Sequence, residues 1–272
     1  MGKRVASFPK QYKQLPPINP EDDNHALDKP HIFLDEIMRQ AQDSEIIRLS
    51  MWVREGHDIK DFNCSNKQVK ILSKNELVSG VYSWADQILC ATNATRNNIN
   101  ALMRQYKGFG STPEVGDKIV SLSNHWEYLS KNKTNILTNG SIGYITNFKI
   151  KKEYFPRYIT SEPIDYMYTT MKLEDEEDYF CNMPIDYNTL LNNQKSLTLR
   201  QSAQIKKSKQ VFIDPPYDFA YAYAMTYWKA QGSEWNKVLV MEENFPYDKI
   251  EHRRAMYTAC TRASEKLVLI LN

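Results

Sequence analysis

Hydrophobic positions along the chain change period several times, and each change marks an element. Beyond Ser44, the residues Ile46, Leu49, Ser50 and Val53 keep helical spacing, with Ser44 suited to the N-cap and Gly56 to the stop. The short apolar run 88–91 predicts a strand, and 93–106 then predicts a helix with Ile99, Leu102, Met103 and Tyr106 on one stripe. Alternation over 116–122 and 142–148, either side of the turn pair Asn139-Gly140, predicts strands. Near the C-terminus, 220–225 predicts a strand running into a turn, 237–241 a buried strand, 250–263 a helix and 266–271 a last strand. Residues 1–30, rich in Pro, Gln, Asn and Asp, read as loop or extended chain. Residues 150–216 carry many tyrosines, an acidic run at 174–178 and a basic cluster at 206–209, with little periodicity and no repeat.

Helices alternating with short apolar strands predict an α/β fold around a parallel sheet, with 116–148 as a small inserted β-barrel. Composition narrows the class further. With 35 basic against 33 acidic residues the net charge is only +2, so bulk charge gives no argument for nucleic acid and local patches must supply one. No apolar run approaches the ~18 residues that span a bilayer, and the first residues lack the apolar core of a secretory signal. Cys64, Cys90, Cys181 and Cys260 are scattered without metal-ligand spacing, so neither a zinc site nor a disulfide framework is expected. A cytoplasmic protein with no membrane partner and no metal ligands of its own is the expectation.

Glycine placement excludes one class of chemistry. The sequence contains no GxxxxGK[ST] turn and no GxGxxG turn, so the chain lacks the usual cradles for nucleotide phosphates.

Two C-terminal segments carry a specific resemblance. Ala222-Tyr223-Ala224-Met225-Thr226-Tyr227-Trp228-Lys229-Ala230-Gln231-Gly232-Ser233-Glu234-Trp235 is followed by Tyr257-Thr258-Ala259-Cys260-Thr261-Arg262-Ala263. Together they resemble the last two motifs of superfamily-one DNA helicases of the RecD and Dda type. Upstream, Gln14-Leu15-Pro16-Pro17-Ile18 resembles that family's third motif, and Arg39-Gln40-Ala41 its RQA arginine motif. Thr92-Asn93 with Asn97 to Asn100 resembles the opening of the second motor domain. Gly116-Asp117-Lys118 and Asn139-Gly140-Ser141-Ile142-Gly143 resemble the signature of its small Src-homology-3-like insertion.

The resemblance implies a RecA-like motor domain interrupted by that barrel. Residues 1–45 would be a remnant of the first motor domain and a linker, and 46–108 the first part of the second. The barrel and an uncharacterised extension would fill 109–216, and 217–272 would complete the motor. ATP hydrolysis in such a motor lies between two domains, and cations stabilise charge on the transferring phosphoryl group. The implied cations are Arg262 and Arg39, with Gln14 sensing the γ-phosphate, and Glu234, Gln231 and Gly232 facing the nucleotide. Single-stranded DNA would meet Thr92, Asn93, Asn100, Thr226, Trp228 and Lys229. Trp228 stands where the family usually has His, keeping a flat stacking surface but losing an imidazole donor. Lys10 and Gln11 stand where the family has Gly-Asp.

With the phosphate loop and the Mg²⁺-binding acids missing, the sequence reads as the C-terminal half of a helicase. ATP and Mg²⁺ would then be used only with a complementing N-terminal half on another chain. The alternative expectation is a catalytically inactive, helicase-derived module that binds single-stranded DNA or protein.

Overall fold

The computed structural model describes residues 44–272, apart from 77, 78, 175 and 209. Gln14 and Arg39, with the segments around them, lie outside the described residues. In chain order the elements are α1 (Glu45–Glu55), β1 (Val69–Ser73), α2 (Ser79–Trp84), β2 (Gln87–Cys90), α3 (Asn93–Tyr106), β3 (Lys118–Ser121), β4 (His125–Leu129) and β5 (Ile136–Leu137). Then come β6 (Ile142–Glu153), β7 (Ile164–Leu173), β8 (Tyr179–Asp186), α4 (Tyr187–Asn192) and α5 (Leu199–Lys207). The C-terminal segment holds β9 (Phe219–Tyr221), β10 (Ala224–Thr226), β11 (Trp235–Met241), α6 (Lys249–Cys260) and β12 (Ala263–Leu271).

Five strands, in the order β1-β12-β11-β2-β10, form a wholly parallel sheet. Their side chains alternate between two covered faces, which is why these strands read as continuous apolar runs. Leu89, Val238, Val240, Leu267 and Leu269 pack with Ile46, Leu49 and Val53 of α1 and with Ala255, Met256 and Ala259 of α6. On the opposite face Ile88, Cys90, Leu239, Val268 and Ile270 pack with Ile99 and Met103 of α3. The helix predicted after Ser44 is α1, and it ends on Gly56 at φ 92°, a left-handed position that favours glycine.

The stripe expected on α3 is corrected. Ile99 and Met103 are buried, but Leu102 is 46% and Tyr106 58% exposed; the other buried positions are Asn100 and Arg104. Those polar side chains are inside because each satisfies buried partners. Arg104 Nε donates to Asp117 Oδ1 at 2.8 Å and its Nη2 to Oδ2 at 3.0 Å, with the Asp117 side chain fully buried.

A second sheet, antiparallel and ordered β8-β7-β6-β3-β9, occupies the middle of the chain, with a two-stranded β4-β5 ribbon beside it. Its ends meet through one isolated parallel bridge, Ile185 to Tyr217. Its core is rich in methionine and aromatic residues, including Met167, Met171, Met183, Phe180 and Phe219. Gly143 of β6 is needed for close approach, since a Cβ there would lie 2.2 Å from the Lys172 carbonyl oxygen of β7.

The single strand expected over 220–225 is two strands. β9 pairs with β3 in the antiparallel sheet, and β10 pairs with β2 in the parallel one. Between them, the Tyr223 hydroxyl donates to Asp117 Oδ1 at 3.1 Å and accepts from the Lys118 amide, fixing where the chain changes sheets.

Candidate functional site

Because the five strands are parallel, their C-terminal ends share one edge and their N-terminal ends the other. In open α/β sheets the edge beyond the strand C-termini is where ligands usually bind. Here β11, β2 and β10 are neighbours, so the loops leaving them converge.

Thr92 and Asn93 follow β2 and open α3. Thr92 is the N-cap, its side chain accepting from the Thr95 amide at 3.2 Å. A helix start of this kind presents free amides and a partial positive charge, which suits an anion. An internal anion already sits there. The carboxylate of Glu243, in the loop after β11, accepts from the Ala91 amide, the Thr92 amide at 3.0 Å, the Thr92 hydroxyl at 2.9 Å and the Thr95 hydroxyl. No spacing rule pointed to Glu243, because it meets Thr92 only through the adjacency of β11 and β2.

From β10 come Thr226, half-buried, and Trp228, 42% exposed. The fully buried Tyr227 between them donates its hydroxyl to the Met241 carbonyl, tying this loop to the end of β11. Lys229 donates to Asn139 Oδ1 in the turn before β6. Burial, with Arg96 adding to it, pulls the Lys229 ammonium down to about 8. The next aromatic residues are Phe245 and Tyr247, beyond Glu243. Trp228 and Phe245 pack edge to face at 5.9 Å between centroids, and Phe245 and Tyr247 do so at 5.8 Å.

Asn100 does not join this group. It is 4% exposed; its amide nitrogen donates to the Tyr221 and Ala224 carbonyls and its oxygen accepts from the Ala224 amide. It clamps α3 to the start of β10, a positioning role in place of the DNA contact expected from the sequence.

The residues expected to face nucleotide lie at the other edge. Glu234 and Arg262 immediately precede β11 and β12, and the Trp235 amide donates to the Arg262 carbonyl at 2.9 Å. Gln231, Gly232 and Glu234 are exposed, with Gly232 at φ 91° in the turn leading to β11. Glu234 lines a cavity of about 560 Å³ shared with Asp86, Lys107, Lys118 and Glu174. Arg262 is 7% exposed, and its guanidinium lies against its own helix end. It donates to the carbonyls of Thr258 at 3.0 Å and Ser233 at 3.1 Å, and to the Thr261 hydroxyl at 3.0 Å. A cation at the C-terminus of α6 is favoured by the carbonyls that face it.

These residues do not amount to a triphosphate site. They offer one exposed carboxylate and a guanidinium held inward, and among the described residues no group of three or more His, Cys, Asp or Glu side chains is placed to hold a metal ion. Also among the described residues, no helix is long and apolar enough to cross a membrane.

Comparison with known proteins finds similarity to one family in the C-terminal segment. Residues 221–270 match the family model described as UvrD-like helicase C-terminal domain. This segment, running from the end of β9 into β12, is therefore similar to the C-terminal domain of UvrD-like helicases. Among solved structures, the chain is similar to the Pif1 helicase from Bacteroides in complex with ADP-AlF3 and ssDNA, at 14% identity and a TM-score of 0.45, over 86% of this chain and 50% of that one. A Bacteroides Pif1 bound to ssDNA matches at 15% identity and 0.47, over 87% and 50%. Pif1 helicase from Candida albicans matches at 16% and 0.45, over 87% and 55%. The chain thus spans about half the length of these helicases. No curated protein matches it.

Proposed function

We propose that this chain is the C-terminal motor part of an ATP-dependent DNA helicase, gripping single-stranded DNA along the C-terminal edge of its parallel sheet. The observation that carries the reading is the convergence there of the helicase-matched segment with the start of α3. Thr226, Trp228 and Lys229 come from the first, and Thr92 and Asn93 from the second. Hydroxyls and helix-start amides suit phosphate oxygens, and Trp228 and Lys229 add a ring and a cation. The antiparallel sheet, its ends joined by the Ile185–Tyr217 bridge, is in this reading the inserted small barrel. The phosphate loop and metal carboxylates must come from another domain, in the same protein or a partner. Arg262, Glu234, Gln231 and Gly232 would meet the nucleotide only after such a domain docks, with Arg39 and Gln14 completing the cleft.

One observation favours the second reading, a binding module without catalysis. The Arg262 guanidinium is engaged with the carbonyls of its own helix and of Ser233, an arrangement that supports structure without any nucleotide.

Fluorescence anisotropy of labelled oligo-dT with the purified chain tests the shared claim. Saturable binding that weakens with salt, and weakens further in Thr226→Ala, supports a strand-binding edge. A chain that binds no oligonucleotide at low salt refutes it. The motor reading further expects ATP turnover to arise only when a domain bearing a phosphate loop is added, and to be lost in Arg262→Ala.

A further inference from the structure

The loop between β11 and α6, residues 242–248, sorts its side chains by chemistry. Each of its three acids is engaged by donors within the chain. Glu242 pairs with His252 Nε2 at 3.3 Å and accepts from the Asn272 amide, and Glu243 fills the donors at the start of α3. Asp248 caps α6, accepting from the Ile250 and Glu251 amides, both at 2.9 Å. The two aromatic residues turn outward instead: Phe245 is 38% and Tyr247 87% exposed. They continue a strip that begins at Trp228, with successive interplanar angles of 72° and 86°. Edge-to-face packing leaves the outer rings with open faces while holding the strip in one shape.

An exposed aromatic row is costly to keep in water unless something covers it. Its surroundings favour a polyanion with flat apolar groups. Lys229 follows Trp228 in the chain and is close enough to Arg96 for the two cations to repel, while Glu242 and Glu243 are engaged by internal donors. We infer that Trp228, Phe245 and Tyr247 form a base-stacking strip that takes successive nucleobases of a single strand whose backbone runs beside the start of α3. Every base offers a π-face, so the strip reads no sequence and favours unpaired over paired nucleic acid. The inference rests on the strand-binding reading above and adds residues to that same edge.

The test compares oligo-dT with an abasic strand of equal length and charge. Tyr247→Ala removes an exposed ring with little effect on the fold. It is expected to weaken oligo-dT binding at least roughly five-fold while leaving abasic-strand binding unchanged. Phe245→Ala should do the same, and Trp228 fluorescence should be quenched by oligo-dT and not by the abasic strand. If Tyr247→Ala and Phe245→Ala bind oligo-dT like the wild type while Thr226→Ala weakens it, the strip has no role and the edge binds phosphate alone. Equal weakening toward both strands also overturns the inference, because the rings would then act on the backbone. Failure of the wild-type chain to bind either strand refutes strand binding itself. Loss of self-association in Tyr247→Ala, seen by sedimentation without any strand present, would assign the strip to a second copy of this chain.

Discussion

The two edges of the parallel sheet are built from the same strands yet treat charge in opposite ways. At the C-terminal edge a cluster of donors at the start of α3 is closed by a carboxylate, Glu243, delivered from a neighbouring loop. At the N-terminal edge a cation, Arg262, is closed by the Thr258 carbonyl near the end of α6 and the Ser233 carbonyl in the turn before β11. Each helix end is thus satisfied by a side chain of complementary charge. The difference lies in what remains exposed. Beside Glu243 stand Trp228, Phe245 and Tyr247; beside Arg262 stand polar turn residues, Gln231 and Gly232, and the acid Glu234. In the proposed reading a strand of nucleic acid covers the first edge after displacing one carboxylate, whereas the second would offer little grip until another domain completes it.

The largest effect that would sharpen this contrast is on Arg262. Arg262→Ala leaves the partly buried carbonyls of Thr258 and Ser233 without this donor and should cost about 1–3 kcal/mol in urea denaturation, while oligo-dT affinity of the chain alone stays the same. A drop in affinity would break the separation of the two edges. Glu243→Ala comes next, with a loss of about 1–3 kcal/mol because the Thr92 and Thr95 donors lose their acceptor. Its oligo-dT affinity should nevertheless rise, since a phosphate no longer competes with an internal carboxylate. Tighter anisotropy titrations together with an earlier urea midpoint would be the signature. Weaker binding would show that Glu243 organises the edge and does not compete for it.

Thr92→Ala removes an N-cap and should cost about 1 kcal/mol. It should also weaken strand binding, a combination that no N-terminal-edge variant is expected to show. The smallest effect concerns Lys229. Its ammonium is pulled down to about 8 in the folded chain by burial, whereas an unfolded lysine titrates near ~10.4. Between those values the unfolded chain holds more protons, so raising the pH through this window removes a penalty on folding. Wild-type stability should therefore gain on Lys229→Met as pH rises from about 8 to about 10. Over the same range the salt dependence of oligo-dT binding should flatten in the wild type and not in the variant. Parallel urea curves for the two proteins at every pH would refute the assignment.

How far the chain could be read in advance differs between the two sheets for a physical reason. In the parallel sheet both faces are covered, so β2, β11 and β12 appear as apolar runs, and Gly56 announces a helix end through local backbone chemistry. In the antiparallel sheet β7 and β8 were not visible in the pattern over 150–216. Their inward positions hold Tyr166, Thr169 and methionines, which carry a weak hydrophobic signal. The helical stripe on α3 misled in the same way. Spacing favoured Leu102 and Tyr106, but Asn100 and Arg104 went inside because β10 and Asp117 give them partners. Polar burial is decided by partners, and those lie far along the chain.

Sequence by itself determined the α/β class, the ends of its clearest helices and the likeness of 221–270 to a helicase C-terminal domain, because period, capping and motif spacing are local properties. The tertiary structure alone decided that 219–226 splits between two sheets, that Asn100 is a clamp, and that Arg262 lies against its own helix. It also brought Glu243 to Thr92 and set Phe245 and Tyr247 in line with Trp228. These are contacts across parallel strands that sequence order keeps apart: β2 and β11 pair side by side although some 150 residues separate Thr92 from Glu243.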